Sequence, residues 1–233
     1  MTSATPETPY TSTQIQIWLR GLLTVAWSDG QFDQSEKETI YSMVDSEFAP
    51  NLDFETLQPI EPADLAALGL SDAAAQNFLR MAVMVALADG TYSDVENDQI
   101  MAFASAIAPE SIATLRATLT KLITAQLQPN NSQTAASLTP PPQRAKNKRD
   151  PLKPARQWLD QLSVEDPRLA RFVCKLIPSD CPFERDVKLF GKKVVHIPPM
   201  CKINPLYEQL VGLRFRALSY LADDVGEDVT AYL

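Results

Sequence analysis

Apolar residues recur along the first half of the chain at the three-and-four spacing of a helix face. Ile15, Trp18, Leu19, Leu22 and Ala26 form one such stripe and predict a helix over 13–28. A second helix is expected to begin near Asp33 and to bury Ile40, Val44 and Phe48. The pattern lapses between Pro50 and Pro62, with a short helical turn expected over 63–68. A long helix starting at Ser71 or Asp72 carries Phe78, Met81, Ala82, Val85 and Ala86, and Ile100, Phe103, Ala104 and Ile107 continue the pattern. Pro109 suits the first turn of a last helix bearing Ile112, Leu115, Leu119, Leu122 and Ile123. Residues 13–127 therefore read as a bundle of about five or six helices, held by packing of these faces.

From 128 to 152 the periodicity is lost: Asn, Ser, Thr and Pro dominate, followed by Arg144, Lys146, Lys148 and Arg149. That composition predicts a flexible or polyproline-like linker. Beyond it, 153–163 and 165–177 read as two short helices, with Asp166-Pro167 a start signal for the second. Segments 187–190 and 194–197 flank Gly191 and predict a small β-hairpin. After Asn204-Pro205 a helix of about eighteen residues carries Leu206, Leu210, Leu213, Ala217 and Leu221. Val211, Phe215 and Leu218 form a second stripe, so two faces of this helix are expected to be covered. The fold class is mainly α: a disordered lead (1–12), a helical bundle (13–127), a linker (128–152) and a small helical module (153–233).

One stretch occurs twice. AWSDGQFDQSEKETI at 26–40 returns sixty positions later as ALADGTYSDVENDQI at 86–100, so that Ala26, Asp29, Gly30, Glu36 and Ile40 align with Ala86, Asp89, Gly90, Glu96 and Ile100. The bundle reads as a duplicated helix–acidic turn–helix unit. Asp33-x-x-Glu36 and Ser93-x-x-Glu96 match a capping box, which accounts for those four residues without a ligand. Asp29 and Asp89 are less easily explained. A carboxylate at a helix C-terminus faces the negative end of the dipole, at a cost of roughly 0.3–1 kcal/mol. A bound cation would reverse that sign. Asp29, Asp33, Glu36, Asp89 and Glu96 are thus candidate oxygen ligands for calcium or magnesium, although their spacing is not that of an EF-hand.

The paired units resemble the tellurite-resistance TerB-like domain over roughly residues 13–127, on the strength of Ala26/Asp29/Gly30/Glu36 and Ala86/Asp89/Gly90/Glu96. The resemblance implies an all-helical bundle with an acidic surface, a link to stress response and metal binding. Ser93 stands where the first turn has Asp33, leaving the second turn poorer in ligands.

All three cysteines and the single histidine fall between 174 and 201 as C-x6-C-x14-H-x4-C. Cys174, Cys181, His196 and Cys201 would complete a zinc tetrahedron, but the first spacing is wider than common zinc pairs. Cys174 also sits in an apolar stretch that suits a buried thiol. A metal-free contact between Cys181 and Cys201 is the alternative, and zinc is not the expected cofactor. Glu184, Arg185 and Asp186 form a charge triplet expected to pin the hairpin to the last helix, with Arg214 or Arg216 as partner. The run CPFERDxxLFGxxxxHIPPxCKxNPLYEQLVGLRFRAL is similar to the domain known, in cyanobacterial sequences, as the C-terminal region of Mo-dependent nitrogenase, over about 153–233. The resemblance implies an association with nitrogen metabolism. Catalysis is not implied, because the chain has no large α/β domain and no constellation able to hold a nitrogenase cluster.

Composition narrows the functional classes. Net charge is −8, unevenly placed: residues 1–127 hold 17 acidic and 5 basic side chains, and residues 128–233 hold 12 and 16. An acidic front half attracts cations or a basic protein partner and repels nucleic acid. No run is long and apolar enough to span a membrane. The first residues lack the basic-then-apolar pattern of a secretory signal, and an odd cysteine count argues against a disulfide framework; a cytoplasmic protein is expected. A single histidine, with no glycine-rich phosphate loop and no nucleophile motif, leaves little for catalysis. The expected function is therefore a non-catalytic regulatory or interaction protein whose acidic bundle binds a divalent cation. The alternatives are a metal-free structural adaptor and a carboxylate-based metal hydrolase.

Overall fold

The computed structural model describes residues 9–28, 59–87, 92–127, 150, 152–177, 185–189, 192–197 and 206–233, with backbone alone at 125–127 and in the two strands. The first helix, α1 (Ser12–Ala26), opens with a capping box between Thr11 and Gln14 and ends at Trp27. Its predicted stripe is the buried one: Ile15, Trp18, Leu19 and Leu22 are all essentially inaccessible. A one-turn helix, α2 (Pro62–Ala66), starts on Pro62, whose missing N–H costs nothing there. Helix α3 (Asp72–Ala86) is capped by the Ser71 hydroxyl, and α4 (Asp94–Ile107) by that of Ser93. Pro109 opens a short 3-10 turn (Pro109–Ser111) that leads into α5 (Ile112–Leu127). The second helix of the first repeat, predicted from Asp33 onwards, lies outside the described residues.

Helices α1 and α3 are each 15 residues long, and their ends stand sixty positions apart. Yet their roles differ. Helix α3 buries residues around most of its circumference, from Ala74 through Ala86, as expected of a helix surrounded by others. Across its centre runs an aromatic column. The Phe78 ring meets Trp18 on one side and Phe103 on the other, both at 5.6 Å and nearly edge-to-face, and Tyr10 covers Trp18 at 4.9 Å. Gly21 lets α1 approach that column; a Cβ there would stand 2.9 Å from Cζ of Phe78.

In the second module, α6 (Lys153–Leu159) and α7 (Pro167–Leu176) are the two predicted short helices, and the Asp166 carboxylate caps α7. Strands β1 (Arg185–Leu189) and β2 (Lys192–Ile197) pair antiparallel, with Arg185 opposite Ile197 and Asp186 opposite His196. The register slips between Val187 and Lys188. Helix α8 (Tyr207–Ser219) runs directly into a π-helical turn (Tyr220–Val225), which stops at Gly226 in the left-handed conformation, φ 74°. A 3-10 turn (Thr230–Tyr232) follows near the end of the chain.

Although the sequence divides at the linker, the core does not. Buried apolar residues form one continuous cluster from Ile15 to Leu221. Polar bonds stitch the seam. Asn77 donates from Nδ2 to the Ser163 hydroxyl at 2.8 Å, and Arg80 donates to the Trp158 carbonyl and to Gln161 Oε1, both at 2.9 Å. The Arg80 guanidinium also lies 5.6 Å from the centre of the Trp158 ring. Arg168 reaches back to the Tyr10 carbonyl and the Ser12 hydroxyl. The two modules share one hydrophobic interior.

Candidate functional site

The acidic turns begin where α1 and α3 stop. Neither helix carries a basic residue in its last turn, so neither helix meets the negative end of its own dipole with a lysine or arginine. Asp29, Asp33, Glu36 and Asp89 lie outside the described residues. Glu96 is described, and it is 4% exposed. Its Oε2 accepts from the Ser93 N–H and from the Ser93 hydroxyl, both at 2.8 Å, while the Glu96 N–H donates back to Ser93 Oγ at 3.2 Å. That carboxylate oxygen is committed to closing the first turn of α4.

Beside it Tyr92, also 4% exposed, directs its hydroxyl to Asn97 Oδ1 at 3.4 Å. Burial, then the nearby Glu96 and Asp98 carboxylates, push its phenol well above the usual value. A phenol that holds its proton more tightly when folded contributes stability in full below the unfolded pKa of about 10, and loses it as pH climbs beyond. We therefore expect the urea midpoint to be steady at neutral pH and to fall above pH ~10, by up to about 1.4 kcal/mol per pH unit for this group. Tyr92→Phe should flatten the fall. An unchanged alkaline slope in Tyr92→Phe, followed by circular dichroism, would remove Tyr92 as its source.

Among the cysteines, Cys174 is a buried thiol on the apolar face of α7. Cys181 and Cys201 are outside the described residues, and His196 is placed only by its position in β2. Among the described residues no three His, Cys, Asp or Glu side chains gather as a metal site. Of the charge triplet, Arg185 and Asp186 stand in β1 and Glu184 lies outside the described residues. Arg214 makes its described bonds to carbonyls: Nε donates to Ile177 at 2.9 Å and Nη2 to Tyr232, tying α8 to the end of α7 and to the chain terminus.

A concave feature among the described residues lies elsewhere. A groove of about 950 Å³ runs between the 160–165 connection and the end of α8, with Pro9 of the first module at its edge. Phe215 and Tyr220 supply apolar surface, above the buried Leu162 and Val164; Asp160, Glu165 and Asp224 supply carboxylates. The Tyr220 hydroxyl donates to the Glu165 carbonyl at 2.9 Å and so fixes the connection against the π turn. Partial burial, and then the charges of Asp166, Asp224 and Glu165, raise the Tyr220 phenol above its ordinary value. π-helical turns are rare and concentrate at functional sites. On the same side, the second stripe of α8 is not covered as its pattern predicts: Phe215 is 69% exposed and Val211 44%, while Leu218 is buried. Sequence reasoning did not reach Asp160, Glu165, Tyr220 or Asp224. They come from segments 55 and more residues apart, and no motif joins them.

No curated protein and no solved structure matches the chain. Residues 151–233, which hold the connection, the hairpin, α8 and the π turn, match the family model described as Mo-dependent nitrogenase C-terminus.

Proposed function

We propose that this chain is a non-catalytic interaction protein that presents a docking face on the module spanning residues 151–233. The observation that carries this reading is Phe215, a large aromatic side chain left 69% exposed one turn from the exposed Val211, at the rim of an open groove. Exposed apolar side chains scattered singly are ordinary, whereas two on one helical face beside a concavity mark a contact surface. The acidic bundle would act as a regulatory element that binds calcium or magnesium at Asp29 and Asp89, in line with its likeness to TerB-like domains and their link to stress response. The family of the second module favours a partner drawn from nitrogen metabolism.

Affinity capture with the full chain, comparing wild type with Phe215→Ser, tests the docking face. A stoichiometric partner held by wild type and lost from the variant is expected, with thermal unfolding unchanged to within about 0.5 kcal/mol because the residue is exposed. Identical captures would remove the face from the proposal. Calorimetric titration with Ca²⁺ and Mg²⁺ addresses the cation separately, and heat that survives Asp29→Asn/Asp89→Asn would discard that assignment.

A further inference from the structure

Among the described residues, four large apolar side chains are conspicuously exposed: Val95, Val211, Phe215 and Leu233. Only Val211 and Phe215 share a helix, and their spacing of four puts them on one face. Where α8 ends, the π turn adds Asp224, and across the groove the connection adds Asp160 and Glu165. All three carboxylates are exposed, and among the described residues none is in an ion pair. By contrast Asp166 and Glu227 nearby are neutralised by Arg168 and Arg171. Arg216 is the one base lining the groove, and it is in no ion pair with the three acids. The surface thus joins an uncovered apolar stripe to an uncompensated negative rim.

We propose that this groove receives a cationic amphipathic helix of a partner protein, its apolar side seated on Val211 and Phe215 and its Lys or Arg side chains facing Asp160, Glu165 and Asp224. The inference rests on the interaction-protein reading and adds the chemistry of the partner. Helix-in-groove recognition seats the apolar face of an amphipathic helix on an apolar surface, and rim charges select the partner and speed its approach. An anionic membrane surface would be repelled by the negative rim.

The probe is a labelled eighteen-residue peptide, helical and amphipathic, with Leu and Trp on one face and Lys on its flanks. A second peptide carries Glu in place of Lys. Binding to the full chain is read by fluorescence anisotropy at low and moderate salt, and its location by amide chemical shifts. The Lys peptide is expected to bind and perturb Val211, Phe215 and Tyr220, and the Glu peptide is not. Phe215→Ser should weaken binding about tenfold or more. Asp160→Asn/Glu165→Gln/Asp224→Asn should weaken it about tenfold and reduce its salt dependence. Circular dichroism confirms folding of each variant, and Val211→Ser repeats the test at the neighbouring position. Equal affinity for the two peptides, shifts elsewhere, or indifference to Phe215→Ser would overturn the proposal. So would a concentration-dependent dimer in sedimentation that Phe215→Ser abolishes, because the face would then belong to a second copy. If Phe215→Ser loses a cellular partner while the triple neutralisation leaves that partner bound, the docking face stands and the cationic-helix assignment falls.

Discussion

Phe78→Ala is expected to cost about 3–5 kcal/mol, a large share of the roughly 5–15 kcal/mol available to a domain of ordinary stability. The ring is fully buried at the middle of α3 and joins three helices at once, touching Trp18 on α1 and Phe103 on α4. Two edge-to-face contacts vanish with it, worth about 0.5–1.5 kcal/mol each beyond the area they bury. The remaining cavity cannot collapse easily, because its wall on the α1 side is backbone at Gly21 and the other walls are rigid rings. Urea denaturation should show a lower midpoint with an unchanged slope. Gly21→Ala offers an internal control. On its own it crowds the Phe78 ring, but in the Phe78→Ala background its methyl group enters vacated space, so the two substitutions should not be additive. A loss below about 1.5 kcal/mol for Phe78→Ala would contradict the central position of this column.

Arg168→Met should be nearly as damaging, at about 3–5 kcal/mol, for an electrostatic reason. The Asp166 side chain is fully inaccessible, and Arg168 grips it with Nε at 3.0 Å on Oδ1 and Nη2 at 2.7 Å on Oδ2. Removing the guanidinium strands a buried carboxylate with only the cap to the Arg168 N–H at 2.9 Å. It also releases the contacts to Tyr10 and Ser12 that fasten the start of α1 to the start of α7. Asp166→Ser in the same background should recover much of the loss, because serine retains the capping oxygen without the charge. A double variant no more stable than Arg168→Met would mean that the contacts to α1, rather than the stranded charge, carry the energy. Both variants are compared by chemical denaturation.

Much of the bundle was legible before any coordinates. Ser71, Ser93 and Asp166 announce helix starts because a short polar side chain satisfies an N–H two or three residues on, within the same turn. The three-and-four spacing of apolar residues predicted α1 and α3, which are each 15 residues long. Polar positions on α3 were less readable. Asn77 and Arg80 look like a solvated edge, yet they face the second module, and their partners Ser163, Trp158 and Gln161 lie some eighty residues away. No local rule predicts such a pairing. The second stripe of α8 failed in the opposite direction, since its period promised a covering element and Phe215 has none over most of its surface.

For the candidate sites the division is similar. Glu96 was readable both as a cap and as a ligand; its bonds to Ser93 place Oε2 in the cap. The negative groove could not be inferred, because Asp160, Glu165 and Asp224 carry no shared spacing. It forms where the buried core, together with the Tyr220–Glu165 bond, sets the end of α8 beside the 160–165 connection.

By itself the amino-acid order marked most of the described helices, the caps at Ser71, Ser93 and Asp166 and the hairpin, since helix starts depend on interactions reaching no more than about four residues along the chain. Tertiary packing alone decided that the two modules share one core, that α3 lies at its centre, and that one face of α8 stays open beside three unpaired acids. Those outcomes depend on which surfaces exclude water from one another, and burial is a property of neighbours distant in the chain.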